Sequence, residues 1–332
     1  MSGGAHDPRL QYEGFERVDR SDGGTDRDHG AEEAAARALA DGKLILLPTE
    51  TVYGLGGDAS NARAVAAIFE AKGRPRFNPL ISHVADAAGA ERIALFDDNA
   101  RKLAGAFWPG PLTIVAPVRD RDAVCDLARA GLDSVAVRVP GHAKAREVLA
   151  LFGGAVVAPS ANRSGRPSPT TFADAMDETG FAAAEGVDGG PCAVGVESTV
   201  VSVLNGVASL LRPGAVTREE LEAVVGPLDT GGEGHRSPGR LTLHYAPDAP
   251  VRINVTTLHK GELLLGFGPG VGDPRWSLSP TGDLREAAAN LFRRFREADR
   301  EKPGGIAVSP IPTQGLGEAI NDRLKRAAGH IG

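Results

Sequence analysis

The stretch Glu70 to Val84 reads EAKGRPRFNPLISHV, and it gathers Lys72, Arg74 and Arg76 around a glycine and a proline. Cations this dense at a turn could serve a small anionic ligand held in a local basic pocket. Gly73 ends a helix, and Pro75 pushes Arg74 toward extended geometry. Lys72 and Arg74 therefore leave the helix end together and can point the same way. The plainer alternative is that cations near a helix C-terminus answer its dipole and lie in water. This stretch alone does not choose between the two.

Other segments bear on the choice. In SVAVRVP, Ser134 to Pro140, alternation puts Ser134, Ala136 and Arg138 on one face and three valines on the other. An arginine among small residues on a central strand calls for an anion or a partner carboxylate, and no other anion is evident beside it. The same alternation groups Val156, Ala158 and Ser160 in AVVAPS, and Ser198, Val200 and Ser202 in STVVSV. One such strand reads as the polar outer face of an antiparallel sheet. Three of them point to a concave sheet face lined by small donors around an arginine. Ser160 and Asn162, in APSANRSGRPSPT, sit just past a strand end, where α/β sheets bind ligands; a solvated Ser/Asn/Gly turn is the plainer reading there. PTETVYGLGGDA is glycine-rich but matches neither GxxxxGK[ST] nor GxGxxG, and no GxSxG, HExxH or paired-cysteine site occurs.

The elements that would carry these residues can be read from the same chain. Glu32 to Asp41 reads as a helix closed by Gly42, LILLP as a buried strand, and Ala62 to Lys72 as a helix with Asn61 as N-cap. Strands follow at LTIVAPV, SVAVRVP, AVVAPS, STVVSV and ASLLRPG, with helices near 97–107, 143–151 and 217–225. This alternation suggests a layered α/β or α+β domain over residues 31–226. Residues 1–30 are rich in Gly, Asp, Arg and Ser without apolar period and read as a disordered tail. GPLDTGGEGHRSPGRLTLH reads as a linker, assigned to 227–250. Beyond it, ELLLGFG, a helix at 283–298, GIAVSPIP and a helix at 315–328 make a small Rossmann-like α/β domain over 251–332.

Composition bounds the function classes. The chain has 332 residues, 42% of them apolar, enough for two cores. Its net charge of −6 and interspersed charges argue against bulk nucleic-acid binding but allow a small anion in a local basic pocket. Cys125 and Cys192 lie far apart, so a disulfide framework or zinc site is not expected, and a cytoplasmic location is. No apolar run approaches the roughly 18 residues of a membrane span, and the N-terminus lacks the apolar core of a signal peptide.

PTETVYGLGGDA, KGRPRFNPLISHV, WPGPLT, VAVRVPGH, APSANRSGRPSPT, GVESTVV and LLRPGAV follow one another in this order. Together they resemble the YrdC/Sua5 family of threonylcarbamoyl-AMP synthases, and SPGRLTLHYAP with GLGEAINDRLKRAA resembles its longer, two-domain Sua5 form. The resemblance implies a YrdC-like twisted open sheet with a concave ligand face and flanking helices, joined to the small C-terminal domain. It implies formation of L-threonylcarbamoyladenylate and pyrophosphate from L-threonine, bicarbonate (or carbon dioxide) and ATP, with Mg²⁺ accompanying the ATP. A separate threonylcarbamoyl transferase would then modify an adenosine of tRNA, so this chain's own tRNA contact is expected to be indirect or weak, with no membrane partner.

The family's KxR…SxN signature maps onto Lys72, Arg74, Ser160 and Asn162, with Lys72 and Arg74 as the catalytic cations. Further nucleotide contacts fall on Asn78, Ser134, Ser168 and Arg212. Tyr245, an apolar ring with a polar tip, reads from its residues equally as the start of the second domain's core or as a cover over a pocket that need not itself be buried; the resemblance implies a lid. The threonine pocket falls on Thr51, His83, Arg138, Ala158 and Ser198, where His83 would orient the substrate or accept a proton from its ammonium. No side chain is assigned to a metal. The rival reading is a non-catalytic RNA-binding or ribosome-assembly protein using the same concave surface, against which the net charge and the 5% aromatic content count. A carbamoyl-adenylate enzyme of hydrogenase assembly is a third, but such proteins carry acylphosphatase and zinc-finger-like modules.

Overall fold

A computed structural model describes residues 28–75, 78–229 and 245–329. The expected tail as far as residue 27, the third cation Arg76 and the linker core 230–244 lie outside the described residues. The first part of the chain runs α1 (Asp28–Ala40), β1 (Leu44–Leu47), β2 (Gly54–Asp58), α2 (Ala62–Lys72), β3 (Ile81–His83), α3 (Ala87–Ile93), α4 (Asp98–Phe107), β4 (Leu112–Pro117), α5 (Asp126–Arg129), β5 (Ser134–Arg138), α6 (Ala143–Phe152), β6 (Val156–Val157), α7 (Phe172–Thr179), β7 (Ala183–Gly186), β8 (Thr199–Leu204), β9 (Val207–Arg212) and α8 (Arg218–Val225). The second part runs β10 (Val251–Arg252), β11 (Glu262–Phe267), β12 (Ser277–Ser279), α9 (Leu284–Arg300), β13 (Gly305–Val308) and α10 (Leu316–Ala327).

The first part forms a nine-stranded mixed sheet in the order β7-β1-β2-β6-β3-β5-β4-β8-β9. One face buries the apolar sides of α2, α3, α4 and α5, with Val65, Ile68, Phe69, Leu103, Ile114 and Val137 in one core. On the other face α1 and α6 cover only one end, packing Leu39, Val148 and Leu149 against Ile45, Leu47 and Val156. The far end of that face carries the polar side of β3 and β5, where His83 lies beside Arg138 in register. Sequence alternation alone had put Arg138 on this side.

Two strands depart from expectation. The glycine-rich GLGGD forms β2 in close packing: a Cβ on Gly57 would sit 2.9 Å from Leu44, and one on Gly56 3.2 Å from both Ile45 and Val156. AVVAPS keeps only Val156–Val157 as strand, since Pro159 has no N–H for the ladder and its carbonyl instead accepts Leu55 N at 2.9 Å. At the boundaries, the first helix begins at Asp28, inside the expected tail. Leu228 is buried in the first core and Asp229 bridges to Ser209, so these residues finish the sheet domain rather than begin a linker.

The second part is a four-stranded parallel sheet, β10-β13-β11-β12, backed by α9 and α10. Its core of Leu265, Ile306, Leu291, Phe292, Phe295 and Ile320 runs on into Tyr245 and into Val52 and Val196 of the first part. Gly195, at φ +75°, lets the two parts meet: a Cβ there would lie 2.4 Å from the Cα of Ala289 in α9.

Candidate functional site

The site grows from the end of α2. Asn61 caps the helix start, accepting from Arg63 N and Ala64 N, and Gly73 closes it at φ +58° with its N–H turned back to Glu70 O and Phe69 O. Lys72, at the last helical position, is buried, and its Nζ donates to the backbone carbonyls of Ser160 and Asn162. Ser164 N bonds Lys72 O at 2.7 Å. The lysine thus ties the helix end to the loop that follows β6 and is not a solvated dipole cap. Burial, and then the neighbouring Arg74 charge, hold its pKa well below the usual lysine value. Arg74 turns into the same space, with Nε and Nη2 buried and carrying no hydrogen bond. Burial and the nearby Arg212 lower its pKa to about 10, against the opposing pull of Tyr245.

Arg74, Arg138 and Arg212 reach one small cavity of about 50 Å³. Thr51, His83, Ala158, Ser160, Ser198 and Tyr245 share its wall, with Pro79, Leu80 and Ile81 as an apolar side. The three arginines come from a helix exit, a central strand and the last strand of the sheet, so only the fold brings them together.

Arg138 is not without a carboxylate, as its strand had suggested. Its Nη2 donates to Glu50 Oε1 at 2.6 Å, its Nη1 to Thr51 Oγ1 at 2.9 Å, and its Nε to Gly110 O at 3.2 Å. Burial raises the Glu50 pKa, but the attraction and hydrogen bond of Arg138 outweigh it, so the carboxylate stays charged. His83 is buried and its Nδ1 has no partner. Burial first, then the Arg138 charge, push its pKa down to about 3. Ser198 serves two neighbours: its hydroxyl lies 2.8 Å from Thr113 Oγ1 and accepts Arg212 Nη2 at 3.1 Å, while its carbonyl accepts Arg212 Nε and Nη2 at 3.1 and 2.9 Å.

The remaining expected residues surround this cavity at different depths. Asn162 lies behind the wall, its Nδ2 bonded to Arg163 O and Arg166 O at 2.8 and 2.9 Å and its Oδ1 without a bond. Ser168 is buried and donates to Glu197. Asn78 is buried with Nδ2 unbonded. Ser134 is half-buried at the far end of β5 and does not reach the wall; it lies roughly 13 Å from Arg138 along the strand. Tyr245 is the clearest correction. It forms part of the cavity wall, yet it is 1% exposed, with its ring 5.3 Å from that of Phe292. The residue starts the second core and closes the cavity at once, because the two parts share that core.

A family described as "Telomere recombination", comprising Sua5, YciO and YrdC proteins, matches residues 37–214, and one described as "Threonylcarbamoyl-AMP synthase, C-terminal domain" matches 216–329. The chain belongs to the Sua5/YciO/YrdC family. The threonylcarbamoyl-AMP synthase of Bacillus subtilis is 39% identical over 319 residues, spanning 89% of this chain and 92% of its own. That of Pyrococcus abyssi is 39% identical over 326 residues, spanning 89% and 93%. The crystal structure of P. abyssi Sua5 complexed with L-threonine superposes with a TM-score of 0.82 at 36% identity, covering 91% of this chain and 95% of that one. The motif resemblance and the mixed α/β architecture therefore hold.

Within this Sua5-type frame, three residues of the site escaped the sequence reading. Glu50 lies inside PTETVYG and Glu197 inside GVESTVV, motifs noticed for their order rather than for these carboxylates. Arg323 lies in the C-terminal tail motif; it is wholly buried and donates to Glu197 Oε2 at 2.9 Å. Among the described residues no three His, Cys, Asp or Glu side chains converge as a metal site. No helix among them is long and apolar enough to cross a membrane.

Proposed function

We propose that the chain is an L-threonylcarbamoyladenylate synthase, a nucleotidyltransferase that joins L-threonine, bicarbonate or carbon dioxide, and ATP and releases pyrophosphate. The observation that carries this reading is the convergence of Arg74, Arg138 and Arg212 on one cavity, with the Lys72 ammonium just behind it. Such a cavity suits small anions rather than an RNA strand. Its family relatives are named threonylcarbamoyl-AMP synthases, and one was solved with L-threonine.

In this reading Arg138 forks onto the threonine carboxylate, held in place by Thr51 and Glu50. The neutral threonine amine attacks carbon dioxide and releases its second proton to solvent, and an oxygen of the resulting carbamate then attacks the α-phosphorus as the bond to pyrophosphate breaks. Arg74, Arg212 and Lys72 offset the charge on the triphosphate and leaving group. His83, with a pKa of about 3, stays neutral and acts as a hydrogen-bonding group rather than as base for the ammonium. Dehydration of bicarbonate supplies a hydroxide that takes that proton. Catalysis is then positioning and electrostatics, without a covalent enzyme intermediate. The polar residues at Ser160, Asn162, Ser168 and Asn78 frame the nucleotide, which extends along β5 toward Ser134. Magnesium enters as part of the MgATP substrate, held by phosphates and water. Cys125 and Cys192, both free, suit a reducing cytoplasm. A separate transferase uses the product for N6-threonylcarbamoyladenosine in tRNA.

The test is incubation with ATP, Mg²⁺ and bicarbonate, with and without L-threonine, measuring pyrophosphate. Threonine-dependent release is expected; absent or threonine-independent turnover would sink the proposal.

A further inference from the structure

One buried ion pair at the cavity plays no part in the chemistry above. Glu197, in the loop before β8, lines the cavity with Arg74 and Arg212 and is 7% exposed. Its Oε1 accepts the Ser168 hydroxyl and its Oε2 accepts Arg323 Nε. Arg323 comes from α10 of the second domain; its Nη1 donates to Pro213 O and Asp322 Oδ2, each at 2.8 Å, and its Nη2 to the Glu197 carbonyl at 3.5 Å. Its guanidinium lies 5.5 Å from the centre of the Tyr245 ring.

A bare carboxylate is misplaced in a polyphosphate site, because it repels the ligand that the neighbouring arginines attract. A buried pair of this kind is also no gain in stability over neutral groups of similar volume. Its place at the cavity wall is what distinguishes it. We propose that Arg323 is a positioning residue for the nucleotide: it cancels the Glu197 charge and holds that carboxylate on Ser168, so that seating of the C-terminal domain and binding of the nucleotide strengthen one another. The inference rests on the nucleotide reading of the cavity. By linkage, whatever factor domain seating adds to nucleotide affinity, nucleotide adds to domain seating. Through Arg323 the C-terminal domain acts on the site by its charge, without touching the reacting atoms.

The full-length chain and its Arg323→Met, Glu197→Gln and doubly substituted variants test this by steady-state kinetics for ATP and threonine separately, beside thermal melting. Wild-type, threonine-dependent pyrophosphate release reports on the underlying reading. Should that control be silent, titration of all four proteins with MgATP still reports on the pair. Arg323→Met should raise the ATP KM roughly tenfold, within the usual range for coupled sites, while the threonine KM stays put. Adding Glu197→Gln should return the ATP KM close to that of the wild type, an effect that a merely structural arginine would not produce. A double variant as weak for ATP as Arg323→Met, equal rises in both KM values, or an unchanged ATP KM in Arg323→Met would each overturn the proposal. If Arg323→Met does not fold, the double variant decides: ATP binding near wild type upholds the proposal, and weak binding overturns it.

Discussion

Lys72 and Arg74 are two residues apart, yet they stand in different physical situations. Lys72 satisfies two backbone carbonyls in a buried loop, whereas Arg74 has donors that bond nothing among the described residues. Arg74→Ala should therefore melt within about 0.5 kcal/mol of wild type. It should lose roughly 10²–10³-fold in pyrophosphate release, the usual effect of removing a donor to developing charge. Lys72→Ala should lose activity as well, but with a stability cost of about 1–3 kcal/mol for the orphaned carbonyls; calorimetry separates the two. Equal stability in both variants would contradict this division. His83 adds a pH signature. Its folded pKa of about 3 lies below the ordinary histidine value of about 6.5, so the unfolded chain binds the extra proton. The stability this affords is intact above pH 6.5 and is lost as the pH falls toward 3, at most about 1.4 kcal/mol per pH unit. His83→Gln should flatten that acid-side decline in melting temperature.

The loop between β6 and α7 is held from both sides, and most of its anchors are charged. Glu178 of α7 takes Arg166 at 2.8 Å and Arg163 at 3.4 Å from the loop, and Arg296 of α9 at 3.1 Å. Arg296 also donates to Pro167 O. Burial raises the Glu178 pKa, but the Arg163 backbone N–H and the guanidiniums outweigh it. Glu178→Ala would leave buried Arg296 without its carboxylate, so a loss of about 3–5 kcal/mol is expected. Because the loop carries Ser160, Asn162 and Ser168, the ATP KM of any folded fraction should rise more than the threonine KM. A neighbouring contact tests shape rather than charge. Gly195→Ala would need both a left-handed backbone and a methyl 2.4 Å from the Cα of Ala289. Urea titration should find it destabilised by more than the roughly 1 kcal/mol typical of an unremarkable substitution.

At the scale of the molecule, the second core contains Val52, Val196 and Tyr245 beside residues of α9 and α10. The two parts should then unfold in one transition, and scanning calorimetry of the intact chain is the check. Cutting after Asp229 removes Tyr245 from the cavity wall and uncovers Val52 and Val196. The truncated chain should be less stable, and bound threonylcarbamoyladenylate, a labile mixed anhydride, should hydrolyse faster on it. Tyr245→Ala in the full chain should shorten the lifetime of the intermediate in the same direction, followed by chromatography. Equal lifetimes in all three proteins would remove the lid from the mechanism.

Local chemistry made much of this legible before any fold was known. Asn61, Gly73 and Pro75 bound and end α2 through backbone geometry that depends only on near neighbours. Alternation along SVAVRVP put Arg138 on the cavity side because the strand period is a property of the backbone. What local pattern could not supply was the partner of each charge. Arg138 meets Glu50 across 88 residues, and Arg323 meets Glu197 across 126. Neither separation leaves a trace in periodicity, since contact across it depends on strand order and on how α10 packs. Tyr245 shows the same limit from the other side: an amphipathic ring two residues before a proline reads equally as lid or core. Only the shared apolar core of the two parts made it both.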